Sequence, residues 1–200
     1  VYGCGSVSEE SIWTENGDFL RMTAQQFQAW QTHWDPAAVL PLAQMPMLWL
    51  NGSNDFAYWP PIWQKSAAST AGQRQLCLKL RWPHGHIPEA EQAGEIECFF
   101  KMHLMGGQPM LTISPPVRSG DSIRATYGSN QTVRCASLLM TPDQGPWPAR
   151  QWHTLPALID SAAQTIQAEL PAGTTAACLS LLSDDWLYTT SDLIFPDQRE

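Results

Sequence analysis

The chain is short of basic residues, of long apolar runs and of paired-cysteine motifs, and each shortage removes a class of function. Eleven Lys and Arg stand against nineteen Asp and Glu, leaving a net charge of -8 over 200 residues. Such a balance forms no basic stripe, so neither nucleic acid nor an anionic membrane is an expected partner. No apolar stretch approaches the length of a membrane-spanning helix. No period recurs, which excludes coiled coils and repeat arrays. Cys4, Cys77, Cys98, Cys135 and Cys178 make an odd count without C-x-x-C spacing. That excludes a thioredoxin-type motif and a zinc ribbon, and it argues against a dense disulfide framework.

What is present is a globular composition, 44% hydrophobic and 15% charged, able to bury a core. The chain opens Val1-Tyr2-Gly3-Cys4-Gly5 with no initiator Met, basic segment or apolar leader. It reads as a strand cut in the middle, the C-terminal piece of a longer protein. An open sheet edge left by such a cut is expected to invite self-association.

Residues 1–105 follow strand–helix grammar. Thr23 and Gln26 form a capping-box pattern ahead of Phe27, Trp30 and Trp34 at helical spacing, and Asp35-Pro36 is a second helix start. Met47-Leu48-Trp49-Leu50 is a continuous apolar run that suits a buried parallel strand. A proline-initiated helix is expected from Pro60 to Ala68, a strand from Leu76 to Leu80 and a helix from Glu89 to Leu104. That helix carries Ile96, Phe99, Phe100 and Leu104 on its apolar side. Trp30, Trp34 and Trp49 are expected in the core. The expected fold class is therefore α/β for this part.

Met105-Gly106-Gly107-Gln108-Pro109 stops the helix and serves as a linker. From 109 to 200 the pattern changes to short strands between turns. Ser122–Tyr127, Thr132–Met140, Thr165–Leu170 and Thr175–Leu182 are the clearest, which predicts a small antiparallel β-sandwich. Cys135 and Cys178 fall in these strands, either as small core residues or facing one another. Trp147 and Trp152 are expected to pack against the first part.

The chemistry concentrates in two loops. Gly52-Ser53-Asn54-Asp55 follows one apolar strand, and Pro83-His84-Gly85-His86 follows another about thirty residues on. Loops after consecutive parallel strands emerge on one edge of a sheet, so Asp55 and the histidines can meet there. A carboxylate that orients an imidazole is two-thirds of a nucleophilic triad. Acid before base is the order of hydrolases in which the serine comes first, and no G-x-S-x-G occurs in the chain. Singly, Asp55 also reads as a turn former and the histidines as surface residues. A metal site from His84, His86 and Asp55 or Glu89 is a competing reading.

Tyr2-Gly3-Cys4-Gly5, Trp34-Asp35-Pro36, the block from Pro46 to Tyr58 and Pro83-His84-Gly85-His86 together resemble the C-terminal half of α/β-hydrolases. The nearest group is that of acetyl xylan esterases and dienelactone hydrolases, overlapping with PhoPQ-activated pathogenicity-related proteins. Gly145-Pro146-Trp147 to Trp152 and Leu170 to Thr174 resemble the β-sandwich extension of such proteins. The resemblance implies the C-terminal portion of an α/β-hydrolase parallel sheet in 1–105, followed by the sandwich in 109–200. It implies Asp55 as triad acid and His86 as base, with His84 as the alternative. Ile87 stands where relatives commonly carry glycine. The implied reaction is hydrolysis of a small-molecule or carbohydrate ester in an intact parent, with no cofactor and no metal, after export to the periplasm or beyond. The alternative is a non-catalytic binding module of the same descent. Trp59, Trp82 and Tyr58, beside the two loops, are the expected substrate-binding residues.

Overall fold

The computed structural model describes residues 4–85, 88–128 and 131–196. The first residues pack as short turns and helices, α1 (Ile12–Glu15) and α2 (Ala24–His33). The capping box forms as its spacing requires, with Gln26 N–H donating to Thr23 Oγ1 at 3.3 Å and Thr23 N–H to Gln26 Oε1 at 2.9 Å. No residue of α2 is buried, and Trp34 at its end is 77% exposed. The core role expected of Trp34 is thus corrected, because the helix lies on the surface and only Trp30 touches the core, against Phe19. Asp35-Pro36 starts only a three-residue 3-10 turn. Asp35 Oδ1 accepts from Ala37 N–H at 2.9 Å and from Ser6 N–H at 2.8 Å.

Then come β1 (Met47–Asn54), α3 (Pro60–Ala68), β2 (Arg74–Pro83), α4 (Pro88–Glu91) and α5 (Gly94–Leu104). β1 and β2 pair in parallel, Met47 opposite Arg74 through Gly52 opposite Lys79. Continuous apolar runs suit these strands because both faces are covered. Trp49, Leu76 and Leu78 point to the side of α3 and join Ile62, Trp63 and Ala67. Leu48 and Cys77 point the other way, to Phe99 of α5 and Met110. Phe100 and Leu104, expected on the apolar side of that helix, are exposed.

The remaining strands are β3 (Thr112–Ile113), β4 (Val117–Ser119), β5 (Ser122–Gly128), β6 (Val133–Thr141), β7 (His153–Pro156), β8 (Leu158–Asp160), β9 (Thr165–Glu169), β10 (Ala176–Ser183) and β11 (Tyr188–Thr190). They form a four-stranded sheet in the order β11-β10-β6-β7 and a second sheet in the order β3-β5-β9-β8, with β4 added beside β5. Every pairing in both is antiparallel. Ala136, Leu138, Met140, Ala177, Leu179 and Leu181 face Ile123, Ala125, Ile166 and Ala168 across the two sheets. This is the period-two alternation of a sandwich core.

The other face of the four-stranded sheet carries Leu139, Ala176 and Cys178, which join the core formed by Trp49 and Trp63. Trp147 and Trp152 enter the same core. Cys135 lies on this face too but is exposed, and it is a free thiol like Cys178. The expectation of Cys135 as a core residue is thereby corrected.

The α/β fold class, and with it the portion of an α/β-hydrolase parallel sheet, is overturned. Among the described residues parallel pairing is confined to β1 and β2, and antiparallel sheets dominate. One strand–helix–strand unit does form where the pattern is read. The helices around it supply no further parallel strands, so the unit packs as a covering layer on an antiparallel body.

Candidate active site

Asp55 and Pro83–His84 leave the ends of β1 and β2 side by side, because parallel strands end on one edge. The approach is irregular. The register shifts between Gly52 and Asn54, and Arg81 takes a left-handed backbone, φ 62°. Its N–H donates to Ser53 Oγ at 2.8 Å instead of continuing the ladder. A Cβ on Gly52 would lie 2.0 Å from the Trp82 carbonyl oxygen, so only glycine lets the strands approach this closely. A non-glycine residue at positive φ persists only where its surroundings hold it. Here Arg81 is held by Ser53 and by a 3.3 Å bond from its guanidinium to the Trp152 carbonyl.

His84 Nδ1 lies 3.0 Å from Asp55 Oδ2, and the Asp55 side chain is 7% exposed. A carboxylate only accepts, so this pairing places a proton on Nδ1 and leaves Nε2 as the outward-acting nitrogen. Among the described residues Nε2 has no hydrogen-bond partner. Asp55 Oδ1 accepts from Ala57 N–H and Tyr58 N–H, each at 2.7 Å. One carboxylate therefore both closes the turn and orients the ring.

The loop around it is tied down on both sides. Asn51 Nδ2 donates to the Tyr58 carbonyl at 2.8 Å. Asn54 Nδ2 donates to the carbonyls of Pro148 and Arg150, each at 2.9 Å, which anchors the loop to the antiparallel half. Phe56 and Tyr58 meet the His84 ring edge-on, with centroids 5.2 and 5.5 Å away. Burial raises the Tyr58 hydroxyl above its ordinary range, reinforced by the nearby Cys4 and Asp55. Burial likewise pushes the Cys4 thiol up to about 12, which keeps it a thiol and not a nucleophile.

Tyr58 and Trp82 line a hollow at Asp55 and His84 with Asn51 and Pro83. Its volume is about 30 Å³, which is room for about one or two waters. Trp59 does not line it. That indole packs in the core and donates to the Phe56 carbonyl at 3.0 Å. His86, the base preferred from the sequence, lies outside the described residues. So the structure brings together Asp55, His84, Tyr58 and Trp82. Among the described residues no three His, Cys, Asp or Glu side chains converge as a metal site. The roles of Asn51, Asn54 and Arg81 were not read from the sequence. An Asn or Arg beside a strand end carries no signal of its partner, whether seven residues on, as for Asn51, or more than ninety, as for Asn54.

No protein-family model matches the chain, and no curated protein does. Among solved structures, pectate lyase PelI from Erwinia chrysanthemi in complex with tetragalacturonic acid is similar at TM-score 0.26 and 12% identity, over 43% of this chain and 27% of that one. A second structure of PelI is similar at TM-score 0.26 and 14% identity, over 47% and 29% of the two chains. The chain thus spans less than a third of those proteins. At this TM-score the likeness carries no argument about fold or function.

Proposed function

We propose that Asp55 and His84 are the acid and base of a serine-type ester hydrolase site whose nucleophile and oxyanion donors come from outside this chain. The observation that carries the reading is the 3.0 Å contact between a buried carboxylate and an imidazole. The esterase-like motif around Asp55 and Pro83–His84 supports it. In this reading the Nε2 atom of His84 takes the proton of an incoming serine hydroxyl and returns it to the leaving alcohol. Asp55 holds the Nδ1 proton and stabilises the imidazolium between those steps. The substrate is a small-molecule or carbohydrate ester, and Tyr58 and Trp82 form part of the wall beside it.

A hollow with room for one or two waters cannot by itself seat an ester, so further walls accompany the nucleophile. The test is p-nitrophenyl acetate turnover by a chain extended upstream of Val1, with Asp55→Asn and His84→Ala versions. Both substitutions are expected to remove the serine-dependent rate. A folded longer protein that hydrolyses no simple ester overturns the reading in favour of a non-catalytic binding module.

A further inference from the structure

A second cavity lies behind the first, where β2 draws away from the outer face of the four-stranded sheet. At one end of that face Leu139 and Cys178 are packed into the core with Trp49 and Trp63. At the other end Ser137 and Ser180 sit directly opposite one another on β6 and β10. Two small hydroxyl residues cannot fill the space that Leu or Phe would fill, and a cleft of about 270 Å³ remains. Small-ligand sites start near that size, ~300 Å³.

The lining combines two kinds of surface. Leu78, Leu139, Leu182 and the rings of Trp82 and Tyr188 supply apolar area. Ser137, Ser180 and Thr154 supply hydroxyls, and none of the three side chains has a hydrogen-bond partner among the described residues. Ser180 is only 2% exposed. A hydroxyl that lines a cleft is satisfied there by water or by a ligand that takes the water's place.

Charge inside the cleft is already balanced. Lys79 pairs with the buried Glu95, which also accepts from Tyr188 N–H at 2.8 Å. The Lys79 ammonium sits between two rings, 5.6 Å from the Trp82 centroid and 4.5 Å from that of Tyr188. An ammonium carries three donors, so donors remain beyond the bond to Glu95. A charged ligand would meet a neutralised ion pair, and a purely apolar one would leave the hydroxyls unsatisfied.

We propose that this cleft binds a neutral sugar ring, with its C–H face against the leucines and aromatic rings and its hydroxyls on Ser137, Ser180, Thr154 and Lys79. A pyranose presents both surfaces at once, an apolar face and a rim of groups that donate and accept. The proposal rests on the geometry of the cleft and not on the hydrolytic reading of Asp55 and His84, although Trp82 borders both cavities.

Cys135 lines the cleft and is exposed, which makes its thiol a reporter. The experiment titrates the chain with glucose, xylose and N-acetylglucosamine to about 50 mM, a range that covers millimolar affinity. It follows the rate of Cys135 modification by a disulfide reagent together with tryptophan fluorescence. At least one sugar is expected to slow modification about 3-fold or more with a saturable fluorescence change. Thr154→Trp, at an exposed position, and Ser180→Ala are each expected to abolish or weaken that protection about 5-fold or more. His84→Ala is expected to leave it unchanged, which separates this site from the hydrolytic one. Protection by none of the sugars overturns the proposal. So does protection by benzoate or glucuronate alone, or sugar protection indifferent to both cleft variants.

Discussion

Asp55 holds His84 through Oδ2 at 3.0 Å while its Oδ1 closes the turn onto Ala57 N–H and Tyr58 N–H. The same carboxylate serves loop structure and ring orientation, so the two roles separate only under selective substitution. Asp55→Ala removes all three contacts and leaves two backbone donors beside a vacant position. It is expected to destabilise the chain by about 2–4 kcal/mol. Asp55→Asn keeps an acceptor for the turn and should cost less than half of that. Urea denaturation of both variants checks the order, and equal losses would contradict the double role.

Gly52 should not tolerate a side chain. Its Cβ would fall 2.0 Å from the Trp82 carbonyl oxygen, a backbone atom that cannot rotate aside. Gly52→Ala is expected to cost about 3 kcal/mol or more by forcing β1 and β2 apart. Gly145→Ala, where a Cβ meets nothing within 4 Å, should lie within about 0.5 kcal/mol of the parent. A thermal melt of the two variants side by side settles the contrast.

The parallel unit and the antiparallel sheets should unfold together. Arg74 donates to Asp192 through both terminal guanidinium nitrogens, at 2.7 and 3.2 Å. Gln64 donates to the Leu193 carbonyl at 3.0 Å, and Gln75 Nε2 reaches the Leu111 carbonyl and Thr189 Oγ1 at 2.8 and 2.9 Å. The core of Trp49 and Trp63 includes Leu139, Trp152, Ala176 and Leu193. Calorimetry should therefore show one transition. Arg74→Ala should lower its midpoint, with a loss of about 1–2 kcal/mol for this partly screened pair. Two resolved transitions would contradict the shared core.

Alkali should weaken the fold through its buried thiols. Burial holds the Cys4 thiol up to about 12, against 9.0 in the free side chain, and also raises Cys77 and Cys178. The unfolded chain releases these protons from about pH 9 upward while the folded chain keeps them. Stability is thus fully present below pH 9 and falls as pH rises toward 12. The slope is about 1.4 kcal/mol per pH unit for each such thiol. Urea midpoints at about pH 8 and about pH 10 measure it, and Cys4→Ala should flatten the slope by roughly a third. Midpoints independent of pH would contradict burial of the thiols.

Much of the local structure was legible in the residues. The Thr23–Gln26 box, the proline-started helix at 60, the apolar run at Met47 and the strands at 122, 133, 165 and 176 all announce themselves by capping chemistry or periodicity. Fold class was not legible, because a strand–helix–strand pattern states how neighbours pair but not how many strands the sheet holds. The exposure of Trp34, Phe100 and Leu104 was missed for a related reason. Helical spacing marks an apolar side, yet which layer covers that side is decided by distant residues. At the site, Asp55 beside His84 followed from two strand ends on one edge. The clamps from Asn54 to Pro148 and Arg150, and the Ser137–Ser180 pair under β2, depend on packing across the sequence that no local pattern encodes.

The most direct test of the acid–base pair is p-nitrophenyl acetate turnover by a chain extended upstream of Val1, compared with its Asp55→Asn, His84→Ala and His86→Ala versions. Asp55→Asn is expected to lower the serine-dependent rate by about 10⁴ and His84→Ala by about 10⁶, while His86→Ala retains it. If His84→Ala keeps the parent rate, the 3.0 Å contact with Asp55 is structural and the assignment of the base is wrong.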